Sequence, residues 1–139
     1  MIISKVISGG QSGADLGGLK AARMSGIKTG GWMPSGYKTE DGPKPEYAQL
    51  YSMREYPTAN YNDRTAKNIC HHGKDNSPGS RLTKQFCAKY DKPCLVVLIK
   101  SNTQFIRKSC DLITTIAGFH LENLIVNVAG NRESVSPGI

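Results

Sequence analysis

The sequence predicts a single α/β domain, residues 1–139, in which helices cover both faces of a mostly parallel β-sheet. An apolar segment at residues 2–8 runs through glycines into a helix-forming stretch at about 14–25. The continuous apolar run Cys94 to Ile99 is typical of a strand buried on both faces, and Leu124 to Val128 is another apolar segment that ends near a glycine. Strands that alternate with helices predict right-handed crossovers and therefore parallel pairing. The fold class is thus a three-layer α/β domain.

The segment after the first helix carries turn signals. Gly26 stands where the helix is expected to close with a left-handed residue, and residues 27–32 predict a short second strand. Residues 33–62 are rich in Pro, Gly, Tyr and charge, and they predict a long irregular loop. Loops of that length in a compact domain are usually functional or are ordered by a ligand or partner.

Three helices are predicted further along the chain. Asn62 and Asp63 provide a cap for a short helix over 64–69. A second helix is expected over 81–90, and apolar residues at helical spacing predict a third over 103–118.

Composition narrows the class of partner. The net charge of +7 is compatible with nucleic-acid binding, but the basic residues are scattered and form no arginine-rich arm, so nucleic acid is not the expected partner. No apolar run approaches the length of about 20 residues that a membrane crossing needs, and no secretory signal is visible, so a cytoplasmic protein is expected. The four cysteines form no CxxC pair and are expected to be reduced, with Cys94 buried in its strand.

Three polar segments that contain glycine follow predicted strands or begin predicted helices, at residues 8–15, 77–83 and 129–134. In an open parallel sheet such segments face the same way, so they are expected to converge on one crevice. The first one leads into a helix N-terminus, whose unpaired N–H groups attract anions and above all phosphate. A tight strand-to-helix turn without a ligand is the alternative for this segment.

At these positions the chain resembles a known family. The segments ISGGQSGAD at 7–15, TGGWMPSGYKTEDGP at 29–43 and NVAGNRESVSPGI at 127–139 are similar to the signature segments of the putative molybdenum carrier family. That family belongs to the Rossmann-like SLOG superfamily, which includes lysine-decarboxylase-like and cytokinin-activating proteins. The resemblance implies a Rossmann-like fold that binds a nucleotide or a nucleotide-like phosphorylated ligand. It also implies carriage of the molybdenum cofactor, and association into a homo-oligomer.

The cofactor therefore stays open between a nucleotide and the molybdenum cofactor. The residues expected to bind the ligand belong to the glycine loop, the second strand, the start of the second glycine-bearing helix and the last loop: Gly9, Gly10, Gln11, Ser12, Gly13, Asp15, Gly31, Trp32, Gly79, Ser80, Arg81, Thr83, Asn131, Arg132 and Glu133.

Several of these residues have a second interpretation. Asp15 is as well suited to cap the helix as to bind a sugar hydroxyl, and Trp32 suits the core as well as stacking on a base or pterin. Arg81 is suited to clamp a phosphate or to lie on the surface of a first helical turn. The pair Glu40 and Asp41 suits a metal or hydroxyl groups, with a solvated loop as the more ordinary alternative.

Catalysis is not expected by the route of the superfamily's enzymes. Those enzymes carry PGGxGTxxE, whose glutamate takes part in cleaving a nucleoside 5′-monophosphate from its base. The corresponding stretch here begins at Pro78 and places Phe86 at the glutamate position. A phenylalanine cannot act as acid, base or charge stabiliser. A hydrolase acting on a nucleotide-derived ligand is the alternative function.

A metal site is not expected either. Cys70, His71 and His72 are adjacent, and neighbours on a strand point to opposite faces. No second ligand cluster lies at a recognised spacing. The same stretch, residues 69–75, is shorter and more polar than the strand that the family usually places there, so that strand is either short or partly lost.

Overall fold

The computed structural model describes residues 3–58, 64, 67–68, 79–91, 94, 123–130 and 132. Its elements in chain order are β1 (Ile3–Ser8), α1 (Ala14–Met24), β2 (Lys28–Met33), β3 (Lys38–Thr39), β4 (Gly42–Pro43), α2 (Tyr47–Leu50), β5 (Met53–Glu55), α3 (Gly79–Lys89) and β6 (Leu124–Val128). A 3-10 turn over Ser35–Tyr37 precedes β3.

The main sheet has the strand order β5-β2-β1-β6, and every pair in it is parallel. β1 is therefore an interior strand, with Val6 opposite Thr29 of β2 and Val126 of β6. The α/β class and the parallel sheet expected from the sequence are confirmed, and the sheet flanked by helices is of the Rossmann type. The parallel arrangement brings the carboxyl ends of all four strands to one edge.

The core lies on the face of the sheet that α1 covers. Leu19 of α1 packs with Met33, Tyr51 and Met53, and all four are buried. Gly18 lies against Val128, where a Cβ would come within 2.8 Å of the valine side chain. Because side chains alternate along a strand, Trp32 and its β5 partner Arg54 lie on the opposite face.

α1 begins and ends at glycines. Gly13 is the N-cap, with φ of 73°, and Gly26 has φ of 68°, as the sequence predicts for a helix that closes with a left-handed residue. The amide of Ile27 donates to the carbonyl oxygen of Ala22 at 2.9 Å, which fixes the turn from α1 into β2.

The loop predicted over 33–62 is more ordered than expected. Its described part, 33–58, contains a 3-10 turn, the hairpin β3–β4, the short helix α2 and β5. Within the described residues β5 is the outer strand beside β2, so this segment contributes a strand to the main sheet. Only three residues long and with two polar ones, β5 carries too weak a pattern to be predicted.

The other predicted elements agree with the structure to different degrees. Residues 64, 67 and 68 are helical, in agreement with the helix expected over 64–69, and α3 starts two residues before the predicted 81. Cys94 was expected in a buried strand; it is exposed and belongs to no strand, so that prediction is wrong. An apolar neighbourhood in the sequence therefore did not determine the burial of this residue. The predicted strand over 95–99, the helix over 103–118 and the segment 69–75 lie outside the described residues.

Candidate functional site

The glycine loop, residues Gly9–Gly13, connects the carboxyl end of β1 to the first turn of α1. The side chains of Gln11 and Ser12 are buried, with 5% and 8% of their surfaces exposed. Gly10 has φ of 70° and lies against Met33, where a Cβ would come within 2.8 Å of the sulfur. The Leu16 amide in the first turn of α1 donates to the carbonyl oxygen of Gln11 at 3.0 Å. No side chain caps the helix at Gly13, so its N-terminus faces the loop without a side-chain acceptor. This is the geometry in which helix N-termini bind anions.

The carboxylate of Asp15, in the first turn of α1, binds the backbone of the glycine loop. Its Oδ2 accepts a hydrogen bond from the backbone N–H of Gln11 at 3.3 Å, and the backbone N–H of Gly130 also donates to its carboxylate. Burial raises the pKa of Asp15 above its ordinary value, while the Gln11 amide, the charge of Arg64 and the Gly130 amide oppose that rise. Asp15 does not cap α1, which has no side-chain cap, and its carboxylate instead holds the Gln11 amide of the glycine loop.

Arg64 is a member of the site that the sequence did not indicate. It is 7% exposed, and its Nη1 donates to the carbonyl oxygen of Gly9 at 3.2 Å. A Cβ on Gly9 would come within 2.8 Å of Asp15 Oδ2 and 3.2 Å of the Arg64 guanidinium, so only glycine fits between the two charged groups. A lone arginine in a short helix has no sequence signal that distinguishes it from a surface residue.

The hairpin β3–β4 lies over the glycine loop. The side-chain nitrogen of Gln11 donates to the carbonyl oxygen of Lys38 at 3.0 Å, and the hydroxyl of Ser12 donates to Glu40. Asp41, the other half of the acidic pair, is exposed, and its amide donates to Thr39 Oγ1. The two acidic residues therefore have different surroundings, and Glu40 reaches the loop.

Gly31 and Trp32, the predicted site residues on β2, face in different directions. Gly31 has φ of 135°, and a Cβ there would collide with the carbonyl oxygen of Ser8, so β2 approaches β1 closely at this point. The Trp32 ring is half-buried and contacts Tyr56 edge to face, at 5.9 Å between centroids. Arg54 and Lys67 lie 5.8 and 5.7 Å from the centre of the same ring.

Asn68 fixes the backbone of Trp32. Its Oδ1 accepts from the Trp32 N–H at 2.8 Å, and its Nδ2 donates to the Trp32 carbonyl oxygen at 3.2 Å. The side chain, 4% exposed, thereby binds both backbone polar groups of Trp32, in addition to the pairing of this residue with Arg54 of β5.

Only part of the expected convergence lies within the described residues. Gly130, after β6, is next to the start of α1, where a Cβ would come within 2.6 Å of the Ala14 side chain. Thr83 and Arg132 are half-buried, and Gly79 is the first residue of α3. The side chains of Ser80 and Arg81, and all of Asn131 and Glu133, are outside the described residues, as are Cys70, His71 and His72.

Phe86 lies in the interior. It is 2% exposed, and its ring stacks on Tyr90 at 6.0 Å between centroids.

Across the described residues, no three His, Cys, Asp or Glu side chains come together as a metal site would require. None of the helices in the described ranges has the length and hydrophobicity that crossing a membrane demands.

Comparison with known proteins places this geometry in a family. The chain is similar to the crystal structure of a putative molybdenum carrier protein from Syntrophus aciditrophicus SB, with a TM-score of 0.79 and 37% identity. That match covers 99% of this chain and 87% of the other. No curated protein matches the sequence. The profile of the circularly permutated YpsA SLOG family matches residues 6–139, and the chain therefore belongs to that family.

Proposed function

We propose that this protein binds a small phosphorylated ligand, a nucleotide or nucleotide-like molecule, at the glycine loop. The observation that carries the proposal is the first turn of α1, which no side chain caps, behind Gly9–Gly13 at the carboxyl end of an interior parallel strand. Backbone amides there bind a phosphate without needing a cationic side chain, and the helix dipole adds to the attraction.

The similar protein from Syntrophus aciditrophicus is described as a putative molybdenum carrier protein, which supports extending a carrier role to this chain. The molybdenum cofactor carries a phosphate on its pterin, so one crevice suits either this cofactor or a nucleotide. In both cases Gly9–Gly13 would hold the phosphate, and the rest of the ligand would extend along the carboxyl edge of the sheet toward the loops after β2 and β6. Gly130 is beside the first turn of α1 and fits that arrangement.

The hydrolase alternative draws no support from Phe86. Its buried ring occupies the position where the superfamily's enzymes carry a glutamate, and it offers no group that can transfer a proton. A binding protein needs no such group.

The test is a thermal-shift panel of matched ligand pairs, because a ligand that binds only the folded state raises the melting temperature. AMP is compared with adenosine, and molybdopterin with its dephosphorylated form; molybdate is tested alone. We expect the phosphorylated member of a pair to raise the melting temperature and its partner to have little effect. Equal shifts within each pair would show that phosphate is not recognised.

The position of binding is tested separately by amide chemical shifts in ¹⁵N-labelled protein. We expect ligand to move the resonances of Ser12, Gly13 and Ala14 more than those of Ser25 and Gly26 at the other end of α1. Shifts confined to Trp32, Arg54 and Lys67 would place the ligand on the opposite face of the sheet and overturn the proposal.

Self-association is a further part of the proposal, since the resemblance to the family implies a homo-oligomer. Light scattering coupled to size-exclusion chromatography measures the molar mass directly. A mass of one chain, 15.1 kDa, at every concentration would contradict it.

A further inference from the structure

We propose that Glu40 is an internal occupant of the anion site, so that a phosphorylated ligand must displace its carboxylate to bind. This inference rests on the proposed function, because it concerns the same glycine loop. It assigns Glu40 a role in setting the affinity and selectivity of that loop.

The carboxylate of Glu40 is bound to the glycine loop just before the start of α1. The hydroxyl of Ser12 donates to its carboxylate across 28 residues of sequence, and Ser12 immediately precedes the N-cap Gly13. A carboxylate near the first turn of a helix is stabilised by the same amides and dipole that attract phosphate. Both groups are anions, so they exclude each other from one position by charge repulsion as well as by size.

The hairpin that carries Glu40 is suited to move. β3 and β4 pair through only two residue pairs, Lys38 with Pro43 and Thr39 with Gly42. A ribbon of this size is not stable by itself in water, so its position over the loop depends on the contacts that it makes there. Its base is fixed, because the amide of Lys44 donates to the carbonyl oxygen of Tyr37 at 3.0 Å and Tyr37 packs against the core. Residues 38–43 can therefore move away from the glycine loop while the base of the hairpin stays in place.

A second observation points independently to a ligand at this junction. The side chain of Gln11 is 5% exposed, and its nitrogen is used by Lys38, while its oxygen has no hydrogen-bond donor. A buried amide oxygen is normally satisfied, so this one calls for a donor from outside the protein. A phosphate that still carries a hydroxyl, or a phosphorylated ligand with a neighbouring sugar hydroxyl, supplies both the anion for the helix and the donor for Gln11.

The experiment compares the affinity of inorganic phosphate and of AMP for the unmodified protein, Glu40→Ala, Glu40→Gln and the control Asp41→Asn, by titration calorimetry. Asp41 is the exposed neighbour, so its variant reproduces the loss of one negative charge without touching the loop. We expect both Glu40 variants to bind phosphate at least about tenfold more tightly, and Asp41→Asn to stay within about twofold, since a competing charge-assisted hydrogen bond is worth at least that ratio.

The outcomes separate the two proposals. If the unmodified protein binds phosphate or AMP and both Glu40 variants bind it with equal or lower affinity, displacement is overturned and the proposed function stands. Failure of every variant to bind phosphate or AMP would overturn both. Binding that becomes measurable only in the Glu40 variants would support displacement. Glu40→Gln keeps the size of the side chain, so agreement between it and Glu40→Ala excludes a packing effect.

The role of Gln11 has its own readout in the unmodified protein. Hydrogenphosphate carries a proton near neutral pH and sulfate carries none, although the two anions have the same charge and nearly the same size. We expect phosphate to bind at least about tenfold more tightly than sulfate, because only phosphate can donate to the Gln11 oxygen. Equal affinities would overturn the assignment of this oxygen to the ligand.

Discussion

The carboxylate of Asp15 lies 3.3 Å from the backbone nitrogen of Gln11, so the first turn of α1 holds the loop that leads into it. The same carboxylate receives the Gly130 amide and faces the charge of Arg64. One buried acid thus connects the loop after β1, the segment after β6 and the short helix at Arg64. The glycine loop is shaped by this group before any ligand arrives.

The stability contributed by Asp15 should fall as the pH rises. Burial raises its folded-state pKa above the ordinary value of 3.8, so the folded protein binds this proton more tightly than the unfolded chain does. The contribution is complete below 3.8 and is lost as the pH passes through the raised folded-state pKa. Urea unfolding of the unmodified protein and Asp15→Asn, from about pH 4 to pH 8, measures it as a difference in unfolding free energy.

We expect the unfolding free energy of the unmodified protein to fall relative to that of Asp15→Asn as the pH increases. Asp41→Asn, at an exposed position, serves as the control and should follow the unmodified protein throughout. A difference that moves the other way would mean that Arg64 and the two amides outweigh burial.

Replacement of Gly31 by alanine should destabilise the protein strongly. The backbone there has φ of 135°, and a Cβ would collide with the carbonyl oxygen of Ser8 in the neighbouring strand. We expect a loss of at least about 3 kcal/mol, measured by urea unfolding. Gly17→Ala is the matched control: this glycine is exposed within α1, with no atom within 4 Å of a built Cβ. It should stabilise the protein by about 0.5–1 kcal/mol, because alanine favours a helix over glycine. Similar effects at both positions would refute the close approach of β2 to β1.

Asn68→Ala should loosen β2 at Trp32. The variant removes both hydrogen bonds to the Trp32 backbone from a position that is 4% exposed. We expect a loss of about 2–3 kcal/mol and faster hydrogen exchange at the Trp32 amide, since a buried N–H and C=O lose their partners. Lys67→Ala, at the preceding position, removes a cation near the ring but keeps both Asn68 hydrogen bonds to the Trp32 backbone, so it should leave that exchange rate unchanged. Slow exchange in Asn68→Ala would show that another group satisfies the strand.

Phe86→Glu should unfold the protein rather than restore the superfamily's chemistry. The position is 2% exposed, so the variant would bury a carboxylate in an aromatic environment. We expect a loss of about 3 kcal/mol or more for Phe86→Glu and of less than about 1.5 kcal/mol for Phe86→Leu, measured by denaturant midpoint. Release of base from AMP by a folded Phe86→Glu protein would contradict this prediction.

Strong local patterns made much of the fold predictable. The apolar run before the glycine loop, the helix that ends at Gly26 and the last strand, Leu124–Val128, each combine periodicity with a turn signal, and the structure contains all three. β5 was not predictable, because Met53–Glu55 is stabilised by its pairing with β2 and not by its own composition. Cys94 shows the reverse error, since an apolar sequence neighbourhood was a poor guide to its exposure.

The candidate site also has one part that could be predicted from the sequence and another part that could not. The position of the glycine loop follows from its sequence, because glycines between an apolar run and a helix-forming stretch indicate a turn at the carboxyl end of a strand. Arg64 did not follow, and Glu40 was considered only as half of an acidic pair, since their contacts with Gly9 and Ser12 span 55 and 28 residues of sequence. A charged side chain in a loop or a short helix has the same local signal whether it lies in solvent or against a site.

The pairing of β1 with β6 joins Ile3 to Leu124, so the interior of the sheet closes only when distant parts of the chain meet. Such non-local pairing raises the contact order, which slows folding because a long chain loop must close first. During synthesis, β1 leaves the ribosome long before its partner exists. Because Gly130 follows β6, its amide reaches Asp15 only after β6 has paired with β1, so the surroundings of the glycine loop are completed by a strand that is distant in sequence.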